Sequence, residues 1–555
     1  MKQDLEQAIA KAVKDLFGVD VAVELTRPDE QFGDFATNIA LQLSKQLGKN
    51  PREIAEQLRG NLVEGLSSSI SKVEVAGPGF LNLTLNDAAL VRSLASGPAK
   101  SLAGKTVVAE YSDPNPFKVL HAGHLYTSLV GDVIANLLAS AGATVHRANF
   151  GGDVGLHVGK TMWAILRELG GEYPEKLHAV PDDQKLAWMS AHYVTGNNTY
   201  DDDETAKAEI VALNKRVYEL HTANDHTSPF AQIYWTCRAW SYDGFNTLYE
   251  RLGMQPFEKY YPESEVADLG LATVKEHIGP VYKKSDGAII FEGEPYGLFT
   301  QVFINSEGLP TYAAKDVGLI QHKFQDYHYD TSFIITDVSQ KDHMAVVLKS
   351  IEQFEPELAQ RTIHRTHGRI KLAGGVKMSS RKGNILPASD ILDSAKAATE
   401  AVHGGQDDSV VLGAVRYAFL KNRLGGDIIY EPQESVSLEG NSGPYLQYAH
   451  ARACSILAKA KGESLEAENL EAGERSLVRK LSEYTETVER ATAELMPHHI
   501  CTYLYELAQS FNRFYEHNRV IGDLREQTRL WLVEQYASTL KNGLTLLGIT
   551  APEHM

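Results

Sequence analysis

Residues 106–150 read TVVAEYSDPNPFKVLHAGHLYTSLVGDVIANLLASAGATVHRANF. The first six, TVVAEY, are mostly apolar and β-branched, which predicts a buried strand. Residues 112–120 contain Pro114 and Pro116 and are irregular. From His121 to Ala141, Leu125, Leu129, Val133 and Leu137 recur every four residues, and Val130, Ile134 and Leu138 widen the stripe. That spacing predicts a core-facing helix, with Gly142 placed to cap its end. Residues 144–150 form a second strand. Strand, helix and strand with short connections make a βαβ unit, hence a parallel sheet in an α/β domain. A second unit follows, with a strand at 333–336 (FIIT) and a helix at 342–353. About 180 residues separate the units, too many for a crossover. They predict an inserted subdomain, helical around 188–221 and again at 239–252.

On the N-terminal side, the first 100 residues predict a small α+β domain. Helices are expected at 5–17, 34–47 and 51–66, and strands at 21–25, 70–75 and 80–85. Pro51 suits a first helical turn. Residues 96–104, with two glycines and a proline, read as a linker. On the C-terminal side, strands are expected to give out after about Asp390. Leu477, Leu481, Tyr484, Val488, Ala491 and Leu495 recur at helical steps, and 499–519 and 528–546 repeat the pattern. This predicts an all-α bundle. The expected domains are 1–100, 101–389 with an insertion at about 160–290, and 390–555.

The chain has 555 residues, 43% apolar and 23% charged, which is ordinary globular composition. Its net charge of −18 excludes a surface that binds polyanions everywhere, though not a local basic track. Its three cysteines, Cys237, Cys454 and Cys501, form no CxxC pair. A disulfide framework and a thiolate zinc site are therefore not expected, and a reducing cytoplasm is. No apolar run approaches the roughly 18–20 residues that span a bilayer. The first sixteen residues, MKQDLEQAIAKAVKDL, lack the apolar centre of a signal peptide.

Two motifs carry chemistry. His121-Ala122-Gly123-His124 begins the first crossover helix, at the carboxyl end of a parallel strand, where open α/β sheets bind ligands. A helix start offers free N–H groups and a positive dipole end to a phosphate. Gly123 lets a nucleotide approach the backbone, and two imidazoles on one face can donate to phosphate oxygens. The second motif is Lys377-Met378-Ser379-Ser380-Arg381-Lys382-Gly383-Asn384. From 358 to 389 there are seven Lys or Arg and no Asp or Glu, a reversal of the chain's overall charge. Such a loop suits the clamping of a triphosphate.

The pair, in this order and these contexts, resembles the class I aminoacyl-tRNA synthetases, and neighbouring residues narrow the resemblance to the arginyl-tRNA synthetase family. Residues 110–115 (EYSDPN) look like the family's E-[FY]-S-x-P-N segment, and 311–316 (TYAAKD) like its T-Y-x-x-[RK]-D segment. Residues 440–452 (GNSGPYLQYAHAR) are close to its most specific helix start. Residues 33–38 (GDFATN) and 77–82 (GPGFLN) resemble its additional N-terminal domain, and 541–543 with 551–555 its chain end. Tyr126 departs from the pattern, standing where the family usually has Arg, and Val154 stands where it usually has Trp.

The resemblance implies a Rossmann-type catalytic domain, a tRNA-binding N-terminal domain and a helical anticodon-binding domain. It implies an arginine–tRNA ligase acting on L-arginine, ATP with Mg²⁺ and tRNA(Arg), with no zinc, no membrane and a monomeric state. His121, His124 and Lys377 would stabilise charge on the phosphates, with Lys118, Gly123, Ser379, Ser380, Arg381 and Lys382 also binding ATP. A guanidinium is planar, permanently charged and carries five donors. By resemblance, Glu110 and Asp316 would meet its charge, Tyr312 and Gln340 would orient it, and Ser112 and Asn115 would complete the arginine site. Phe80, Asn82, Tyr445, Tyr448 and Met555 would meet tRNA. The activation step is expected to need bound tRNA. Competing readings are a class I synthetase for another amino acid, a small-molecule nucleotidylyltransferase and a non-catalytic tRNA-binding paralogue. A glutamate enzyme would need basic groups where Glu110 and Asp316 stand, and a nucleotidylyltransferase would not need the bundle.

Overall fold

A computed structural model describes every residue except 373–385, 405–406 and 468. The catalytic domain is built on a five-stranded, fully parallel sheet. Its strand order is Thr362–His367, Thr331–Asp337, Thr106–Glu110, Thr144–Gly151, Lys259–Pro262. In chain order this is 5-4-1-2-3, so the direction of winding reverses between Thr106–Glu110 and Thr331–Asp337. A crevice opens at such a switch point, beyond the carboxyl ends of the strands. The crossover helix Ala122–Ser140 packs one almost wholly apolar face on this sheet, burying Leu125, Leu129, Val133 and Leu137 as their spacing requires. Gly142 takes a positive φ just past the helix end, as expected.

The segment expected as one insertion divides. Helices Leu156–Leu169, Lys185–Asp202, Glu204–Thr222 and Pro229–Arg251 form a body with its own core of Val154, Val158, Met162, Phe230 and Tyr234. The chain then returns to the main sheet as its edge strand Lys259–Pro262. The helix Glu263–Glu276 and a small antiparallel sheet of Lys283–Ser285, Ala288–Phe291 and Gln301–Ile304 lead into helix Tyr312–Tyr327.

The N-terminal domain carries helices Lys2–Phe17, Ile39–Leu47 and Pro51–Gly65 on a three-stranded antiparallel sheet. Two expectations fail here. Residues 21–25 form no strand, and only Thr26 bridges, to Ala36. The helix expected from Asp34 starts at Ile39, because Phe35–Thr37 pairs with Leu81–Leu83. The buried Asp34 carboxylate fixes that pairing by accepting the Leu85 N–H at 2.7 Å.

The bundle comprises Ala388–His403, Asp408–Leu420, Gly443–Lys459, Ala472–Ser482, Tyr484–Glu494, His498–His517 and Glu526–Leu546. Strands do not end at Asp390. Ile428–Tyr430 pairs in parallel with Ile370–Leu372, tying the bundle to the catalytic domain. The N-terminal domain docks on the bundle through Arg475, which reaches Asp34 at 2.6 Å and Asp87 at 2.9 Å, and through Arg27–Glu486 at 2.7 Å. Among the described residues, no helix is long and apolar enough to cross a membrane.

Candidate active site

A cleft of about 880 Å³ opens at the switch point. Nine of the residues expected at the site line it: Glu110, Ser112, Asn115, His121, Gly123, His124, Tyr312, Asp316 and Gln340. Its rim includes Arg369, Lys371 and Leu386, which flank the segment holding Lys377, Ser379, Ser380, Arg381 and Lys382. Those five residues lie outside the described part of the chain.

The connection from strand to helix is conformationally costly. Ser112, Asp113 and Phe117 have φ of 76°, 49° and 67°, and none is glycine. Backbone of this kind persists only when its surroundings over-determine it. Phe117 is buried against Tyr234 of the helical insertion, and its N–H donates to Ser241 Oγ at 3.0 Å. The Ser112 hydroxyl bonds Tyr249 at 2.6 Å and accepts from Ser128 Oγ at 2.8 Å. Asn115 Oδ1 accepts the Gly152 N–H at 2.8 Å. The insertion thus holds the loop in the shape that turns these side chains towards the cleft.

The histidines form their own helix cap. His121 Nδ1 accepts the N–H of Gly123 at 3.1 Å and of His124 at 3.4 Å, and His124 Nδ1 accepts the His121 N–H at 3.3 Å. The rings stack at 3.8 Å. The Ala122 N–H donates to Leu386 O at 2.9 Å. The first-turn amides expected to face a phosphate are therefore engaged within the protein. The rings replace them. Burial, reinforced by Lys118, pushes His121 down to about 4 and His124 well below its usual range. Both are neutral at pH 7. A neutral imidazole that accepts through Nδ1 carries its proton on Nε2, so each ring keeps one donor free for a ligand. A Cβ on Gly123 would meet His121 Cε1 at 2.9 Å, so the glycine lets the ring fold back over the helix start.

The carboxylates are largely paired. Glu110 bonds the fully buried Lys323, and burial raises the Glu110 carboxyl against the pull of that ammonium. Asp316 pairs with His343 at 2.5 Å. Glu263, also in the cleft, pairs with Lys315 at 2.5 Å, and Lys315 reaches Tyr218 Oη at 3.2 Å. Tyr312 is 61% exposed at the mouth. Lys118 does not line the cleft. Its Nζ lies 4.5 Å from the Tyr193 ring, and burial, then Lys160, pushes it down to about 8. Sequence reasoning missed Asp113, Glu263, Lys315, Lys323 and His343. Lys315 and Lys323 flank the buried Leu319 at four-residue steps. Two lysines on a core stripe call for carboxylate partners, and that signal was available.

The residues expected to meet tRNA lie away from the cleft. Phe80, Tyr448 and Met555 are exposed. Asn82 is buried in its strand, and Tyr445 packs on Tyr505 while accepting from Asn512 at 3.0 Å. The tail lies on the helix carrying both tyrosines, through Gln447 to Thr550 O at 2.9 Å and His450 to Pro552 O at 2.8 Å. Tyr126 packs on His367 and Phe419 in the core, and Val154 in the insertion's core.

The family model described as "tRNA synthetases class I (R), catalytic domain" matches residues 87–428, more than half the chain and the whole of the cleft. The chain belongs to the arginyl-tRNA synthetase family. Its other parts agree, with "Arginyl tRNA synthetase N terminal domain" matching 1–85 and "DALR anticodon binding domain" matching 446–555. A Porphyromonas gingivalis protein named arginine–tRNA ligase is 29% identical, covering 100% of this chain and 99% of its own. A Synechococcus protein of the same name is 30% identical, covering 96% and 95%. The solved Thermus thermophilus arginyl-tRNA synthetase superposes with a TM-score of 0.83 at 26% identity, covering both chains fully. In the terms of this family, the cleft belongs to the catalytic domain, and the tail and tyrosine helix to the anticodon-binding domain.

Proposed function

We propose that the cleft activates L-arginine with ATP and passes the arginyl group to the 3′-terminal adenosine of tRNA(Arg). The observation that carries this reading is the cleft itself, in which two neutral imidazole donors and the carboxyl groups of Glu110, Asp316 and Asp113 share one space. Arginine's carboxylate attacks the α-phosphate of ATP, displacing pyrophosphate. A terminal ribose hydroxyl, the 2′-OH in class I enzymes, then attacks the arginyl-adenylate. Negative charge grows on the phosphate oxygens in the first step, and the Nε2–H groups of His121 and His124 donate to it. Neutral donors fixed by their own backbone need no reorganisation as that charge develops. Lys377, with Ser379, Ser380, Arg381 and Lys382, binds the triphosphate, which enters as its Mg²⁺ complex. Gly123 lies against the nucleotide, and Lys118 approaches from the insertion side.

At the other end, Asp316 and Glu110 face the guanidinium, Tyr312 and Gln340 orient it, and Ser112 and Asn115 hold the amino-acid end. No covalent enzyme intermediate is required, and positioning supplies much of the acceleration. Residues 1–100 meet the body of tRNA through Phe80 and Asn82. Residues 390–555 meet the anticodon through Tyr445, Tyr448 and Met555. Residues 101–389 do the chemistry. The enzyme works without zinc, as a cytoplasmic monomer.

The test is pyrophosphate exchange into ATP with each amino acid in turn, with and without tRNA. Exchange with arginine alone, and only with tRNA present, is expected. Exchange with another amino acid overturns the guanidinium site, and none at all from folded protein overturns the activity.

A further inference from the structure

Among the described residues six carboxyl groups line the cleft, and five already have work. Glu110 is paired with Lys323, Glu263 with Lys315, Asp316 with His343 and Asp427 with Lys371. Asp337 caps a one-turn helix by accepting the Ser339 N–H at 2.8 Å. Asp113 differs. One of its oxygens accepts the Phe150 N–H at 2.8 Å, and the other takes no hydrogen bond from any described residue. It has no cation within ion-pair distance among the described residues. The pairing of Glu110 with Lys323 also means that one of the two charges expected to face a guanidinium is already answered inside the protein.

We propose that Asp113 is a specificity-determining residue that supplies the uncommitted carboxylate for the substrate's guanidinium, on the loop between Glu110 and Asn115. This rests on the reading of the cleft as an arginine site. Asp113 stands at the position that the E-[FY]-S-x-P-N pattern leaves open. Its φ of 49° is one that Asp and Asn adopt far more readily than most residues. Its carboxyl is joined to the carboxyl-end backbone of strand Thr144–Gly151 and faces Glu110 from the neighbouring strand. Asp316 and Lys323 face it from helix Tyr312–Tyr327, and His343 stands behind Asp316. Burial and the two neighbouring carboxylates raise its proton affinity well above the usual range. An arriving guanidinium removes that penalty by supplying the missing positive charge, so arginine binding releases a proton from Asp113. A neutral isostere can donate a hydrogen bond to the same group but brings it no charge.

The test uses the full-length enzyme with tRNA(Arg), reading pyrophosphate exchange for the KM of arginine and inhibition by L-citrulline, an uncharged isostere. Asp113→Asn keeps the backbone preference and removes the charge. It is expected to raise the KM for arginine about 10- to 100-fold with kcat changed by less than about threefold. The Ki for citrulline should stay within about threefold, and the fall in arginine KM as pH rises should disappear. An unchanged KM overturns the proposal. So does parallel weakening of arginine and citrulline, which marks a general change in the loop. Asp113→Ser, read the same way, decides the matter where the Asn variant does not fold. Wild-type exchange with an amino acid other than arginine refutes the site reading instead, before any variant is made.

Discussion

The two histidines of the helix cap are donors that never carry a full charge in the working pH range. They are paired, since the backbone N–H of each fixes the tautomer of the other through Nδ1. His124→Asn should lower kcat about 100- to 1000-fold, the usual loss for one oxyanion donor, while leaving the KM for arginine within a few-fold. Single-turnover adenylate formation measures both. The pH profile follows from the same residues. Burial pushes His121 down to about 4 and His124 well below its usual range, so kcat/KM for ATP should stay level from neutrality down to about pH 5. Lys118 loses its proton near 8. The contribution to ATP binding proposed for it would be present below that value and lost above it, giving a basic limb. Lys118→Arg, which keeps its charge, should move that limb upward, and an unmoved limb assigns it to another group. The HxGH residues were legible because the motif is local. The pairs Lys323–Glu110 and Lys315–Glu263 were not, because their partners are 213 and 52 residues apart.

At the scale of elements, helix Tyr312–Tyr327 is placed by its close crossing with helix Glu263–Glu276. A Cβ on Gly270 would stand 1.9 Å from Ala314 O, and one on Gly318 would stand 2.2 Å from Val266 O. The two backbones touch, and this sets the position of Asp316 against the cleft. Gly270→Ala should destabilise the enzyme by about 1–3 kcal/mol through overpacking, seen in thermal unfolding. It should also raise the KM for arginine more than that for ATP. The long helices were legible from their stripes, and the parallel sheet from alternating helix and strand. Ile428–Tyr430 was not, because three residues between Gly-Gly-Asp and Glu-Pro leave no periodic signal. Phe35–Thr37 was hidden for the same reason, its pairing set by the tertiary role of Asp34.

At the scale of the molecule, one side chain joins three parts. Arg416, 0% exposed, pairs with Asp132 of the crossover helix Ala122–Ser140 at 3.0 Å. It also donates to Leu252 O at the end of the insertion at 2.8 and 3.0 Å, and to Leu547 O at the end of the bundle's long helix at 3.0 Å. Arg416→Met leaves Asp132 buried without its cation and should cost about 3–5 kcal/mol, measured as a lowered urea midpoint. Adding Asp132→Asn should recover part of that loss. Nothing in the sequence around Arg416 marks it, because its partners lie in three separate segments.

That junction also sets an order of events during synthesis. The helix bearing His121 leaves the ribosome about 400 residues before Leu547 exists, and domains generally fold as they emerge. Until Arg416 and then Leu547 emerge, Asp132 of helix Ala122–Ser140 stands without the cation that pairs with it in the finished fold. Ribosome-bound chains ending before Leu547 should hold that helix less firmly than released ones, and should begin to form adenylate only on release.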